Sequence, residues 1–337
     1  MDTSNNTVEV ETVVEPLLDP KNQRFTAFPI QYQKIWDSYK TQQALYWKAE
    51  EIDFSKDYDD FKKLSQDERH FIKMVLAFFA NSDGIVNFNL RERFLKDVQV
   101  IEAQMVYAWQ MMMEGIHNEV YSQMLLNLVK DPQERDKLFN AIKTVPSVKK
   151  MSDWTFKWIE SKESFSYRVI AFAIVEGIFF SGAFASIFWL KRYRAKGSHF
   201  LNGLIKSNEF IARDEGQHLQ FACLLYSMLI KKVPKDDVFN LMDEAVNIAK
   251  EFTDDAIPCK LIGMNAELMN DYIEYIADRV LVQLGYTKRY NKKNPFTFME
   301  TIGMARKTNF FEHRVTEYQT AFTSNFSRDS LNLLEDF

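Results

Sequence analysis

Two of the five histidines in this 337-residue chain stand three residues after a glutamate, as Glu114 with His117 and Glu215 with His218. On a helix that spacing puts both side chains on one face, one above the other, so each pair can offer a carboxylate and an imidazole to one metal ion. A single Glu-x-x-His is weak evidence, because a solvated pair or a hydrogen-bonded core histidine explains most such cases. Here there are two copies, and two further carboxylates lie among apolar residues: Asp83 in FFANSDGIVNF and Glu176 in AIVEGIFF. A buried carboxylate is strongly disfavoured unless it is paired or bound to a metal. One carboxylate from each of two helices and a Glu-x-x-His from each of two others is how helical bundles hold a pair of carboxylate-bound metal ions.

Donor chemistry narrows the metal. Four carboxylates and two imidazoles without a thiolate suit iron or manganese rather than structural zinc, and four negative charges balance two divalent ions. Such a site keeps coordination positions open for dioxygen or water, the condition for oxidative chemistry. Tyr121 lies four residues after His117 and so on the same helical face, pointed towards the metals, where a tyrosine is either oxidisable or plain core. Each proposed carboxylate is followed by a glycine (Gly84, Gly115, Gly177, Gly216), which takes four of the ten glycines in the chain. Glycine inside a helix costs on the order of 1 kcal/mol relative to alanine, so the pattern predicts close approach of helices around the site, the alternative being ordinary tight packing.

The elements that must position these residues are long helices. Only ten glycines and eight prolines punctuate a chain that is 46% hydrophobic and 26% charged, which predicts an all-α protein. Ser65 with Glu68 forms a capping box opening a helix that runs past Asp83 towards Phe94. Further long helices are expected over about 98–129, 164–194 and 200–232, shorter ones around 132–160 and 235–254, and a last long one from near Cys259 capped by Gly285. Residues 1–24 lack aromatics and read as a disordered tail. Val169 to Leu190 carries a single charge, Glu176, and is long enough to span a bilayer. It stands alone with an ionisable group at mid-length, so a buried bundle helix is the better reading.

Composition also excludes functions. The net charge of -5 is spread along the chain without a basic tract, which argues against nucleic acid as a direct ligand. Cys223 and Cys259 are in no metal or redox spacing, and the N-terminus lacks a secretory signal, so a cytoplasmic address is expected. No Gly-rich phosphate loop is present.

The segments SDGIVN, EGIHNEVY, VEGIFFSGAFASIFWL, ARDEGQH and KTNFFEHRVTEYQ, in that order, resemble the small subunit of eukaryotic-type class I ribonucleotide reductase from about Phe25 to the C-terminus. The resemblance implies a ferritin-like helical domain over residues 25–310 and a flexible tail over 311–337. It implies that Asp83, Glu114, His117, Glu176, Glu215 and His218 ligate two iron ions per chain in an oxo-bridged centre that reacts with dioxygen. Tyr121 would carry a stable radical, in an apolar pocket to which Phe180 and Phe184 belong. Trp47, favoured over the nearby Trp36, and Asp214 would form a hydrogen-bonded relay through His117, and Tyr318 would pass the radical equivalent to the large catalytic subunit.

By the same resemblance the chain forms a homodimer, and residues Leu331 to Phe337 dock it to the large subunit. The sequence departs from the family between Trp189 and Asn208, where KRYRAKGSHFLNG is longer than the related turn. Rivals remain in a di-iron monooxygenase or desaturase, whose first ligand is normally Glu rather than Asp83, in ferritin-type storage, and in a catalytically silent assembly paralogue. Storage would need neither Tyr121 nor Trp47, and a silent paralogue would be expected to have lost ligands.

Overall fold

A computed structural model of the protein describes residues 14–195, 199–256, 264–296 and 298–299. The chain divides into two units after Pro295, and the first carries all the structure discussed below. Its described residues form helices and no strand. The helices that matter for the site are α1 (Gln33–Gln43), α2 (Asp57–Lys62), α3 (Gln66–Asn89), α4 (Ile101–Leu128), α5 (Pro146–Ile159), α6 (Phe165–Ile174), α7 (Phe180–Leu190), α8 (Asn202–Met228), α9 (Lys235–Ala256) and α10 (Ala266–Gln283).

The terminal signals act as expected. Ser65 Oγ accepts the Glu68 N–H at 3.2 Å while Glu68 Oε2 accepts the Ser65 N–H at 2.8 Å, so α3 starts with two of its free amides satisfied. At the other end of the bundle Gly285 takes φ +90°, and the Tyr286 N–H reaches back to Leu281 O at 2.8 Å, closing α10 with a left-handed cap. Asn265 caps the start of α10, so that helix begins at Ala266, and the expected start near Cys259 lies outside the described residues.

Three departures from the sequence reading have physical causes. The apolar helix expected over 164–194 is continuous but not regular, because π-helical turns at Val175–Phe179 and Lys191–Ala195 interrupt it on either side of α7. Residues 14–24, expected to belong to a disordered tail, are held on the body. Leu17 is buried and its carbonyl accepts the Gln99 N–H at 2.8 Å, Glu15 accepts the N–H groups of Ile230 and Lys231, and Arg24 pairs with the buried Glu102. The glycines beside the ligands do not share one role. A Cβ at Gly177 would meet Val280 Cγ2 at 2.7 Å and Leu219 at 3.2 Å, a true close approach, whereas Gly84, Gly115 and Gly216 have nothing within 4 Å.

The apolar length of the centre does not call for a membrane. Phe165–Ala195 and Gln66–Asp97 are each long and apolar enough to cross one, yet 89% and 67% of their most apolar windows are buried within the protein. α5, α9 and α10 supply that cover: Trp154 of α5 meets Phe179 edge-on at 5.4 Å, and Phe252 of α9 packs on Phe78 at 5.2 Å.

The glycine environments generate a test. Gly216→Ala adds a methyl in open space and should raise the thermal midpoint of the metal-free protein, by up to about 1 kcal/mol of helix propensity. Gly177→Ala must displace Val280 and Leu219 and should lower it. Equal shifts of one sign would show that the two sites are not packed as described.

Candidate metal centre

Four helical segments bring six ionisable side chains to one point. Asp83 comes from α3, Glu114 and His117 from α4, Glu176 from the π turn between α6 and α7, and Glu215 and His218 from α8. All six are at most 4% exposed. Glu176 therefore occupies an irregular turn of its helix, where the widened π geometry redirects a side chain that a regular helix would place elsewhere.

The donor atoms fall into two overlapping groups, Asp83–Glu114–His117 and Glu114–Glu176–Glu215–His218, each with its ligand atoms within 4.8 Å of one another. Glu114 belongs to both and can bridge. Glu215 also straddles them, with Oε1 at 3.0 Å from His117 Nδ1 and Oε2 at 2.8 Å from His218 Nδ1.

These contacts do not satisfy the group. Both oxygens of Asp83, both of Glu114, Oε2 of Glu176, Oε1 of Glu215 and Nδ1 of His117 are buried without a hydrogen-bond partner. Orphaned buried polar atoms are rare in folded proteins, and seven converging on one point are what a metal pair would satisfy. The donor set fits hard or borderline divalent ions.

Electrostatics agree with this placement. Burial, and then the neighbouring charges of Glu114 and Glu215, push the Asp83 carboxyl well above its usual range. Burial with Glu215 and Glu114 does the same to Glu176. Burial alone would favour neutral histidines, yet Asp214, Glu114 and Glu215 hold His117 well up, and Glu215 and Glu114 bring His218 to about 9. Glu215 goes down despite burial, because His218 and His117 outweigh it. The cluster thus favours positive charge at its centre, and metal ions would compete with protons for the same atoms.

Around this core lie the other residues singled out by sequence. Trp47 is buried, stacks on His117 with ring centroids 6.0 Å apart, and donates its indole N–H to Asp214 Oδ2 at 2.6 Å. The same oxygen lies 3.2 Å from His117 Nε2, so a continuous hydrogen-bonded path runs from Trp47 to a candidate ligand. Tyr121 is fully enclosed with its hydroxyl unpartnered, and burial followed by the charge of Asp83 holds the phenol well above its usual pKa. Trp36 instead packs between Phe28 and Tyr39. Tyr318 and Leu331 to Phe337 lie outside the described residues.

Two residues were missed. Phe79 stacks on Tyr121 with centroids 4.6 Å apart, and Phe184 and Phe180 stack on Phe79 at 4.8 and 5.8 Å, so the pocket reaches Tyr121 through Phe79. Gln110 donates to Glu176 Oε1 at 3.2 Å and fixes that carboxylate's orientation. Each precedes a candidate ligand, Asp83 or Glu114, by four residues. Extending the ligand face by one helical turn finds both.

Residues 24–295 match the family described as ribonucleotide reductase, small chain. The chain belongs to that family. It is 55% identical over 307 residues to a ribonucleoside-diphosphate reductase small chain of Spisula solidissima, covering 91% of this protein and 79% of that one. One of the small chains of Arabidopsis thaliana is 53% identical, with 91% and 89% covered, and the small chain of vaccinia virus (strain Ankara) is 51% identical, with 96% and 100% covered. Among solved structures, the ribonucleotide reductase Rnr4 homodimer from Saccharomyces cerevisiae superposes with a TM-score of 0.77 at 38% identity, over 88% of this protein and 93% of that one. A putative class I ribonucleotide reductase from Bacillus halodurans has the same fold at a TM-score of 0.74 and 23% identity, over 80% of this protein and 100% of that one. The fold class is ferritin-like.

The overlap at Glu114 predicts unequal losses of metal. Asp83→Ala removes a ligand from one group only and should leave about one divalent ion per chain, whereas Glu114→Ala, which strips both groups, should leave less. Elemental analysis after reconstitution reads this directly, and equal occupancy in the two variants would remove the bridging role.

Proposed function

We propose that this protein is the radical-generating small subunit of a ribonucleoside-diphosphate reductase, with Tyr121 as the residue oxidised and a pair of iron ions as its working metal. The observation that carries the reading is the setting of Tyr121. It stands one turn from His117, is sealed from water behind Phe79, and has no hydrogen-bond partner for its hydroxyl. A phenoxyl radical persists where water and reductants are excluded, and Phe79, Phe180 and Phe184 provide that exclusion.

When bound, two iron ions supply, with dioxygen, the oxidising power to remove an electron from Tyr121. The chain's own residues do the remaining work. Asp83, Glu114 and His117 would hold one ion, and Glu114, Glu176, Glu215 and His218 the other, with Gln110 orienting Glu176. With its pKa held high by burial, Tyr121 must lose its proton along with the electron, and the carboxylates whose charges act on the phenol, Asp83 first, would be the groups to take it up. Asp214 accepts the Trp47 indole N–H in a 2.6 Å hydrogen bond and fixes the His117 ring, so that Trp47 connects electronically to the centre. Tyr318 is assigned the exit to the large subunit on family resemblance. Nucleotide chemistry then occurs on that other subunit.

This subunit would act as a homodimer in the cytoplasm, without direct binding to nucleic acid or membrane. An exposed face supports the dimer. Gly84 and Phe88 of α3 and Met112, Gly115 and Leu126 of α4 lie on the exposed side of these two helices, where glycines allow a second copy's backbone to come close. A silent assembly paralogue is disfavoured because all six ligand positions retain metal-binding residues.

Two predictions test the reading. Protein loaded with ferrous iron and exposed to air should show a tyrosyl signal in electron paramagnetic resonance. Tyr121→Phe should abolish it while iron content persists, and Trp47→Phe should keep it while turnover with the large subunit is lost. A signal undiminished in Tyr121→Phe would move the radical elsewhere. The second concerns Leu331 to Phe337, whose leucines and phenylalanine beside Glu335 and Asp336 suit a groove on a partner. Deleting residues 331–337 should leave iron and radical intact and remove binding of the large subunit, expected at micromolar affinity, on the order of -8 kcal/mol. Unchanged affinity in the truncated protein would send the docking surface back to the helical body.

A further inference from the structure

α8 carries Asp214, Glu215 and His218, yet it begins without a cap of its own. Leu201, at the cap position, adopts a left-handed conformation with φ +46°, and its side chain makes no capping bond. The free amides of the first turn are taken instead by another part of the protein. Asp57 Oδ1 accepts the Gly203 N–H at 3.0 Å, Asp57 Oδ2 the Leu204 N–H at 2.7 Å, and Asp60 Oδ2 the Leu201 N–H at 3.0 Å. Both aspartates are buried, Asp57 at 1% exposure. The approach is tight from the other side as well, since a Cβ at Gly203 would stand 2.7 Å from Asp53 O and 2.9 Å from Asp57 Oδ2.

The segment that provides these acceptors also carries Trp47. Along 45–60 it is joined to α8 at further points. Arg213 donates to Leu45 O at 2.6 Å, Lys206 to Glu51 O at 3.3 Å, and Trp47 to Asp214 Oδ2 at 2.6 Å. The arginine and lysine are long and can follow a moving carbonyl. Asp57 cannot, because a short buried carboxylate that grips two consecutive backbone amides fixes the helix along its axis. From Gly203 to Asp214 is about 16 Å of regular helix, a rise of 1.5 Å per residue, so a slip at the first turn passes undiminished to Asp214.

We propose that Asp57 is a positioning residue. By clamping the first turn of α8 it sets the axial register of that helix against the Trp47 segment, and thereby the length of the Trp47–Asp214 hydrogen bond. The consequence for turnover rests on the relay reading given above, but the positioning itself does not, and the test separates the two. Asp57→Asn replaces one acceptor with a donor facing a backbone N–H. Gly203→Ala wedges the same contact apart from the α8 side while the residue at 57 stays aspartate.

In both variants the strength of the Trp47 indole hydrogen bond is read by ultraviolet resonance Raman, as the difference between each variant and its Trp47→Phe counterpart. Iron content, tyrosyl radical per subunit, thermal midpoint and turnover with the large subunit are measured alongside. Positioning predicts a weakened indole bond in both variants, with iron and radical within about twofold of the parent and turnover lower by on the order of tenfold or more, as misplacement of a reacting group produces. A weakened bond with undiminished turnover would uphold the positioning and remove the relay. An indole bond unchanged in both variants, whatever happens to the thermal midpoint, would overturn the proposal and leave Asp57 an ordinary helix cap.

Discussion

Four carboxylates and two imidazoles enclosed in an apolar core cannot satisfy one another, and this constraint governs the rest of the structure. Hydrogen bonding would need donors, but the histidines have few to give and the carboxylates have none unless they hold protons. The shifts follow from that shortage: Asp83 and Glu176 move up under burial and their neighbours' charge, the carboxylates draw His117 and His218 up as well, and seven buried donor atoms lack partners. Keeping such a cluster buried requires a scaffold that does not relax around it. Long helices provide this, because each ligand is fixed by a backbone whose own hydrogen bonds are already complete.

The same rigidity makes the surroundings legible as layers on helical faces. On α4, Gln110, Glu114, His117 and Tyr121 follow one another at three- and four-residue steps, and each has a different place at the centre: Gln110 orients a carboxylate, Glu114 belongs to both donor groups, His117 links to Asp214 and Tyr121 is enclosed with its hydroxyl unpartnered. On α8, Asp214 precedes His218 by one turn and ties that helix to the segment of Trp47. Function is thus written along helix faces, and a shift of one residue in either helix would dismantle several roles together.

That regularity explains what could be read from sequence. The convergence of the six candidate ligands was legible because carboxylates and histidines among apolar residues break the composition of a core helix, and their spacing keeps them on one face. Phe79 was not, since a phenylalanine in FFANSD is indistinguishable from core by type, and only its offset from Asp83 marks it. The π turn at Glu176 leaves no trace in hydrophobic period when every neighbour is apolar. The order of residues 14–24 depends on Leu17, Glu15 and Arg24 finding partners more than 70 residues away, which no local pattern encodes. The glycine pattern misled because four similar dipeptides were given one cause. Gly177 faces Val280 and Leu219, whereas Gly84 and Gly115 face outwards.

The placement of Tyr121 shows why the apolar shell and the ionic cluster have to be adjacent. A tyrosine oxidised at a distance would need a path, and one in contact with water would be reduced. Tyr121 stands one turn beyond His117 on the same helix, and Phe79, pressed against its face at 4.6 Å, keeps solvent from the ring. Trp47, stacked on His117 and hydrogen-bonded to Asp214, has the opposite character. In the proposed function one aromatic is insulated so that it can store an oxidising equivalent, and the other is hydrogen-bonded towards the centre so that it can pass one on.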